Sequence, residues 1–395
     1  MTPAASGRSL GWVSTVTYLD HAATTPMFPE AVAAMLPFYS ERFANPSGSH
    51  RFAREARAAV DEARDLVAEV IGCTPGEVIF TSGGTEGDNT AILGTVARRG
   101  GTAVCPAAEH HAVLASVERV HGLQVPVMAD GSVDLDALAS ILELTPEVTV
   151  ASVMAVNNEV GTVNDLAAVA AVVAEHAPQA VLHTDAVQAP CWVDLRTITP
   201  HVQLLSLSAH KFGGPKGVGV LVARQGATFD PLLIGGGQER ERRSGTHNVA
   251  GIVALTEALR LTDAHRNSEV PRIAGLRDRL VDNVVAGLDG VHETVPRSRK
   301  VAGSAHLCIE GIESEALLFL LDEAEVCASA ASACASGAME PSHVLAAMGV
   351  PRERALGAVR LTLGRTTTET DVDRGAEVLV GAVDRLRRGK GSGRR

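Results

Sequence analysis

Three side chains in this 395-residue sequence are placed for chemistry, and the first is an amine. Lysine occurs only four times, and Lys211 ends the apolar run Leu204-Leu205-Ser206-Leu207-Ser208-Ala209-His210, just before Phe212-Gly213-Gly214-Pro215-Lys216-Gly217. A primary amine between a hydrophobic strand and a glycine-rich turn is desolvated, which favours the neutral nucleophile that forms Schiff bases with carbonyl compounds. Pyridoxal phosphate is therefore the first cofactor the pattern suggests. Asp185 closes another apolar run, Val181-Leu182-His183-Thr184, and Gln188 follows three residues later. A carboxylate there suits a protonated pyridine nitrogen, and the amide suits the ring hydroxyl; a helix-capping Asp fits the same position. Cys334 sits among Ser, Ala and Gly from Ala328 to Ala338, in a stretch with nothing bulky enough to bury it, so a loop could carry its thiolate into a site and out again.

Other groups gain meaning beside these. Ser82-Gly83-Gly84-Thr85-Glu86 follows the run ending at Phe80 and opens a helix. Bare amides and a hydroxyl at a helix start make an anion site fit for a cofactor phosphate, although an ordinary capped helix reads the same way. Glu109-His110-His111 stands past the run ending at Cys105, where an imidazole could stack on a ring and shuttle protons. Asn157-Asn158-Glu159 is a further strand-end turn, and Arg360, inside Val359-Arg360-Leu361-Thr362-Leu363, suits a bidentate grip on a carboxylate or an edge-strand ion pair. Lys300 and Lys390 lie in cationic stretches that read as solvated, so Lys216 is the one rival to Lys211.

The elements that must position these groups form a recognisable order. From Val78 to Val222 short apolar runs alternate with longer amphipathic stretches, which predicts a mostly parallel sheet covered by helices and a ligand site at the carboxyl ends of its strands. Ser49 to Ile71 reads as one long helix with a single apolar face. Val249–Leu261 and Ile273–Leu288 read as two helices, and the polar segment Thr262–Pro271 between them as a domain boundary. The expected organisation is an N-terminal arm (1–17), a large domain (18–265), a smaller α+β domain (266–386) and a disordered Gly/Ser/Arg tail (387–395).

Bulk properties narrow the function. With 46% hydrophobic residues the chain can bury a large core, and a formal net charge of −11 without a basic, aromatic-studded patch argues against nucleic acid. No signal-peptide pattern or membrane-length apolar stretch is present, so a cytoplasmic location is expected. Six scattered cysteines show no metal-ligand spacing and no disulfide framework.

Taken together, the motifs resemble the cysteine desulfurases, pyridoxal-phosphate enzymes of the aminotransferase-like fold type I, with a mostly parallel seven-stranded sheet in the large domain. The resemblance runs from Tyr18 to the last predicted helix. It is carried by Tyr18-Leu19-Asp20-His21-Ala22-Ala23-Thr24-Thr25-Pro26, Asn45-Pro46-Ser47, the Ser82–Glu86 turn, Asn157–Glu159, His183–Gln188, Ser208–Lys211, Gly235–Arg240, Arg243–Thr246 and Ser332-Ala333-Cys334. It implies that Lys211 holds the cofactor as a Schiff base, Asp185 pairs with the ring nitrogen, and His110 stacks on the ring. Gly84, Thr85, Ser208 and His210 would hold the phosphate, with Thr246 reaching it from a partner subunit of a homodimer. Asn158 and Gln188 would contact the ring hydroxyl, and Asn45 and Arg360 the carboxylate of L-cysteine. Cys334 would accept sulfur and pass it, as a persulfide, to iron–sulfur scaffold or thiolation proteins; the long small-residue loop around it resembles the subgroup with an extended loop. Whether Cys334 also ligates a cluster transiently is left open by the sequence. Gly87 stands where the family carries serine. Selenocysteine lyases and aminotransferases share the fold, and a sulfur-relay scaffold without enzymatic activity is the non-catalytic alternative.

Overall fold

A computed structural model describes residues 16–330 and 342–392. Its strands, in chain order, are β1 (Thr17–Tyr18), β2 (Val78–Thr81), β3 (Thr102–Pro106), β4 (Leu123–Val125), β5 (Val148–Ser152), β6 (Val181–Asp185), β7 (Leu204–Ser208), β8 (Gly219–Ala223), β9 (Val291–Glu293), β10 (Ser304–Ile309), β11 (Val326–Cys327) and β12 (Ala358–Thr362). Seven of them form one sheet in the order β2-β8-β7-β6-β5-β3-β4. β8 runs antiparallel to both β2 and β7, and the remaining pairs are parallel. This is the expected mostly parallel sheet. β2, β5, β6 and β7 are almost wholly buried Val, Leu, Ile and Thr runs, as a sheet covered on both faces requires. The carboxyl ends of β2, β3, β6 and β7 point one way and deliver Ser82, His110, Asp185 and Lys211 to a common edge.

The helix Arg51–Ile71 starts on His50, whose ring accepts from the Ala53 amide, and ends at Gly72 in the left-handed region (φ 81°), where a side chain would be strained. Its buried face, Ala56, Ala59, Val60, Ala63 and Val67, packs against the sheet side of the main core. A second core surrounds the antiparallel sheet β12-β10-β9 and contains Leu19, Leu276, Leu280, Leu307, Leu361 and Leu379.

Three local expectations differ from the structure; Lys300, expected to be solvated, is buried, with Nζ donating to Glu293 Oε1 at 2.6 Å. The segment Thr262–Pro271 does not break the chain: one helix runs from Val249 to Gly287, with Pro271 inside it. The polar side chains that suggested a linker are bonded to neighbouring elements, Thr262 Oγ1 donating to Phe212 O (3.0 Å) and Arg266 Nε to Pro190 O (3.0 Å). The helix therefore threads both cores, with Leu255 and Leu259 in one and Ile273 and Leu280 in the other. Likewise the helix Glu369–Ser392 continues through Arg387, where composition predicts a disordered tail. Arg387 Nη2 holds Asp289 O at 2.9 Å and Glu310 O at 2.7 Å, which ties down the added turn. The short edge strand β4 and the helix Leu135–Leu144 were not foreseen, because three residues carry too little periodicity and Leu-Glu-Leu-Thr blurs the helix end.

A buried ion pair fixes the loop after β8. Glu239 takes Arg64 Nη1 and Nη2 at 2.8 and 2.7 Å, His247 Nε2 at 2.8 Å and the Phe80 amide at 3.2 Å. Around it Glu239, Arg240 and Glu241 all adopt positive φ (49°, 58° and 65°), a run that only strong anchoring sustains. Burial opposes the charge, yet the bonds from His247 and Arg64 hold the Glu239 carboxyl down at about 2. A depressed carboxyl stabilises the fold above its unfolded pKa and loses that contribution as pH falls. Arg64→Ala, which leaves the carboxylate unpaired, should cost about 3 kcal/mol or more at pH 7. The gap to wild type in thermal midpoint should narrow as pH drops from about 4.5 toward 2.

Candidate functional site

Lys211 lies on the turn Ala209–Lys211 that leaves β7. Its Nζ donates to Ala22 O (2.6 Å) and Ala23 O (2.8 Å), and Gln188 Nε2 donates to the same Ala22 O at 2.8 Å. The segment Tyr18–Thr25 thus folds over the amine, pinned by Tyr18 Oη to Thr24 O (2.9 Å). Burial, helped by the nearby Arg360 charge and opposed by Asp185 and Asp20, lowers the Lys211 amine to about 8. Lys211, Gln188 and Asn158 line one cavity of about 360 Å³, together with His21, Cys191 and Trp192.

Gly84, Thr85, Ser208 and His210 line an adjoining concavity with Ser82, Gly83 and Lys216. Gly84 begins the helix Gly84–Asn89, and a Cβ there would meet Val187 Cγ2 at 2.7 Å, so only glycine lets this turn approach β6. Arg243 Nε holds Glu86 at 2.8 Å. The same Glu86 accepts from the Ser82 amide at 2.8 Å. Burial and the charges of Lys211 and Lys216 push His210 down to about 4, so its ring is neutral, 3.2 Å from Thr24 Oγ1. Lys216, weighed in the sequence only as a rival for the Schiff base, is the residue that reasoning missed. Its signal was the turn itself, which returns the chain to the helix start.

The floor of the site is a group of buried acids. Asp185 accepts from the Val187 amide (2.9 Å), and its carboxylate, a carboxylate oxygen of Asp88 and a ring nitrogen of His110 lie within 4.8 Å of one another. His110 caps the helix His111–Arg119, its Nδ1 accepting from the Ala112 amide at 3.1 Å, and burial lowers its pKa. Glu109 is wholly buried, with Oε1 on the Met154 amide at 2.5 Å. His183 bridges Ser152 Oγ (2.8 Å) and Ser206 Oγ (3.0 Å), and burial drives it down to about 3.

Arg360 reaches the same edge from β12. Its Nη2 holds Asp20 Oδ1 at 2.8 Å, Nη1 holds Asn158 O at 3.0 Å, and Nε has no partner among the described residues. Asn157, rather than Asn158, shapes the turn: its Oδ1 accepts from the Glu159 and Val160 amides at 2.9 and 3.0 Å. Asn45 is exposed, bonds the Ser47 amide at 2.9 Å and is joined by no bond to Arg360. Thr246 is also exposed and lines a small neighbouring cavity with Ser82 and Gly217. Cys334 lies outside the described residues. Both flanks of its segment are fixed at the site. Ser329 exchanges backbone bonds with Arg360 (2.7 and 3.1 Å), and Ser342 Oγ donates to Glu159 Oε2.

Comparison with known proteins adds identity to this geometry. Residues 17–374 match the family model "Aminotransferase class-V". The chain is 44% identical over 384 residues to a Mycobacterium tuberculosis protein named IscS-like cysteine desulfurase, covering 94% of this chain and 97% of that one. It is 40% identical to the cysteine desulfurase IscS of Dictyoglomus turgidum, covering 94% and 95%. Among solved structures, a NifS-like protein superposes with a TM-score of 0.87 at 32% identity, covering 93% of this chain and 99% of the other. Fold, site architecture and these likenesses agree: the chain belongs to the aminotransferase class-V family, within its cysteine desulfurases.

Proposed function

We propose that this protein is a cysteine desulfurase that binds pyridoxal phosphate, takes sulfur from L-cysteine and releases L-alanine. The observation that carries this reading is the convergence, at one sheet edge, of a desolvated lysine, a buried carboxylate and an amide-lined glycine turn. These residues fit the cofactor. The turn Ser82–Thr85 with Ser208, His210 and Lys216 suits its phosphate, Asp185 suits a protonated ring nitrogen, and His110 suits the ring face. Gln188 and Asn158, which line the same cavity as Lys211, suit the ring hydroxyl. When bound, pyridoxal phosphate supplies a carbonyl for the substrate amine and an electron sink that loosens the bonds to the substrate's Cα and Cβ.

The chain's own groups do the rest. Lys211 Nζ, with a pKa of about 8, is available near neutral pH to take a proton from the substrate's Cα and to return one. Arg360 exchanges its bond to Asp20 for the substrate carboxylate, offering the unpartnered Nε. The Cys334 thiolate attacks the substrate sulfur: an S–S bond forms, the Cβ–S bond breaks, and its electron pair is protonated at Cβ to give the methyl group of alanine. Cysteine and the Cys334 thiol thus become alanine and a Cys334 persulfide, in atom balance. The anchoring of Ser329 at Arg360 and Ser342 at Glu159 supports this role.

We read two domains, 18–265 and 266–386, joined by the shared helix Val249–Gly287 and with the N-terminal Leu19 packed into the second core, and the active form as a homodimer. Large apolar side chains left open to solvent, Ile234 (87% exposed), Phe43 (72%) and Tyr39 (63%), support a partner subunit that also brings Thr246 to the phosphate. Sulfur acceptors for iron–sulfur assembly or thiolation are the partners this product chemistry calls for. Among the described residues no helix is long and apolar enough to cross a membrane; we place the enzyme in the cytoplasm.

Lys211→Ala should lose the visible absorbance of bound cofactor and all alanine production. Lys216→Ala should keep the absorbance and weaken cofactor affinity by about fivefold, the worth of one exposed charge contact. Cys334→Ser should abolish cysteine-dependent sulfide release and persulfide labelling while the cofactor stays bound; full turnover would sink the thiolate mechanism. Arg360→Lys should raise KM for cysteine about 10- to 100-fold with a smaller change in kcat, because a bidentate contact becomes a point charge.

A further inference from the structure

Asp88 has no part in the assignments above, yet it is one of the least accessible charged side chains in the molecule, 1% exposed. It comes from the helix that begins at the glycine turn, and its oxygen lies within 4.8 Å of both the Asp185 carboxylate and a His110 nitrogen. Among the described residues Asp88 Oδ1 has no hydrogen-bond partner, although His183 Nε2 stands 3.6 Å away. That separation resembles an ion pair, but His183 is neutral, because burial pushes it down to about 3. Ser206 on β7 is the one neighbouring side chain that favours the Asp88 anion. From the other packed elements Asp88 faces Asp185 on β6 and Glu109 before the helix His111–Arg119.

Two carboxyls this close, both out of water, cannot both ionise without large cost. The distribution of donors decides which keeps the charge. Burial pushes the Asp185 carboxyl up as well, but the facing His110, a backbone amide at 2.9 Å and Lys211 all oppose that rise. Asp88 has only Ser206 and an orphaned oxygen, and a charged orphan is the most costly kind. Glu109 is held by the Met154 amide through one oxygen and has the other unpartnered, so burial keeps it neutral as well.

We propose that Asp88 is a positioning residue: as a neutral acid it carries the one proton the two carboxyls share, which leaves the negative charge on Asp185. This rests on the reading of Asp185 as partner of the cofactor's ring nitrogen. Its consequence is that the acid behind the charge, and not the charge alone, sets how firmly that nitrogen's proton is held. Removing the acid frees Asp185 to take up a proton itself; replacing it with an amide does not.

The test uses the holoenzyme. Infrared difference spectra at neutral pH, wild type minus Asp88→Asn, should show the loss of one protonated-carboxyl stretch, distinct from the stretch lost in Glu109→Gln. In pH titrations of the bound cofactor's visible band, Asp88→Asn should follow wild type, whereas Asp88→Leu should shift the transition by about one pH unit. If Asp88→Leu does not fold, the infrared difference and the Asp88→Asn titration still decide. No lost stretch, or a shift in Asp88→Asn as large as that in Asp88→Leu, would show that Asp88 is ionised and overturn the proposal. Asp185→Asn separates the two claims. If it leaves the titration and the cofactor affinity unchanged, the Asp185 reading itself fails. If it moves them while both Asp88 variants do not, only the role of Asp88 fails.

Discussion

Desolvation at the carboxyl edge of the large sheet is the constraint on which the rest of the site depends. Parallel strands buried on both faces end where water cannot follow, so every ionisable group there keeps its charge only if neighbours supply partners. Lys211 meets this by resting on the carbonyls of Ala22 and Ala23, and its amine loses basicity. His183 and His210 meet it by staying neutral. Asp185 is pushed up by burial as well, but with the facing His110 ring, an amide and the Lys211 amine beside it, it is the carboxyl best supplied to remain charged. One physical condition thus sets the protonation state of each group before any ligand arrives.

The segment Tyr18–Thr25 turns that local condition into a connection between the two cores. Leu19 is buried in the second core, Asp20 grips Arg360, and the next residues accept bonds from Lys211 and Gln188 of the first. An eight-residue strip therefore links Arg360, the residue proposed to take the substrate carboxylate, to Lys211, the residue proposed to hold the cofactor. Exchange of Asp20 for a substrate carboxylate at Arg360 would be felt along this strip within a few residues.

Much of this was legible in sequence because the signals were local. The apolar runs ending at Phe80 and Cys105 and those beginning at Val181 and Leu204 fall on β2, β3, β6 and β7, and strand ends then pointed to Asp185 and Lys211. What escaped depended on contacts between distant segments. Thr262–Pro271 reads as a linker until Phe212 O and Pro190 O, some 50 and 76 residues away, are seen to take its polar groups. Lys216 reads as a turn residue until the turn is seen to face Ser82–Thr85. Asp88 carries no local sign at all, since a polar helix residue looks solvated until Ser206 and Asp185 close over it.

The helix Val249–Gly287 has a mechanical meaning beyond its place in the fold. It is a shared beam of 39 residues, and neither core can be dismantled without stripping one half of it. Helix formation is cooperative along its length, so fraying in one half lowers the stability of the other. Heating should therefore melt both cores in a single transition, and a protease would find no resting state in which one has come apart while the other stands.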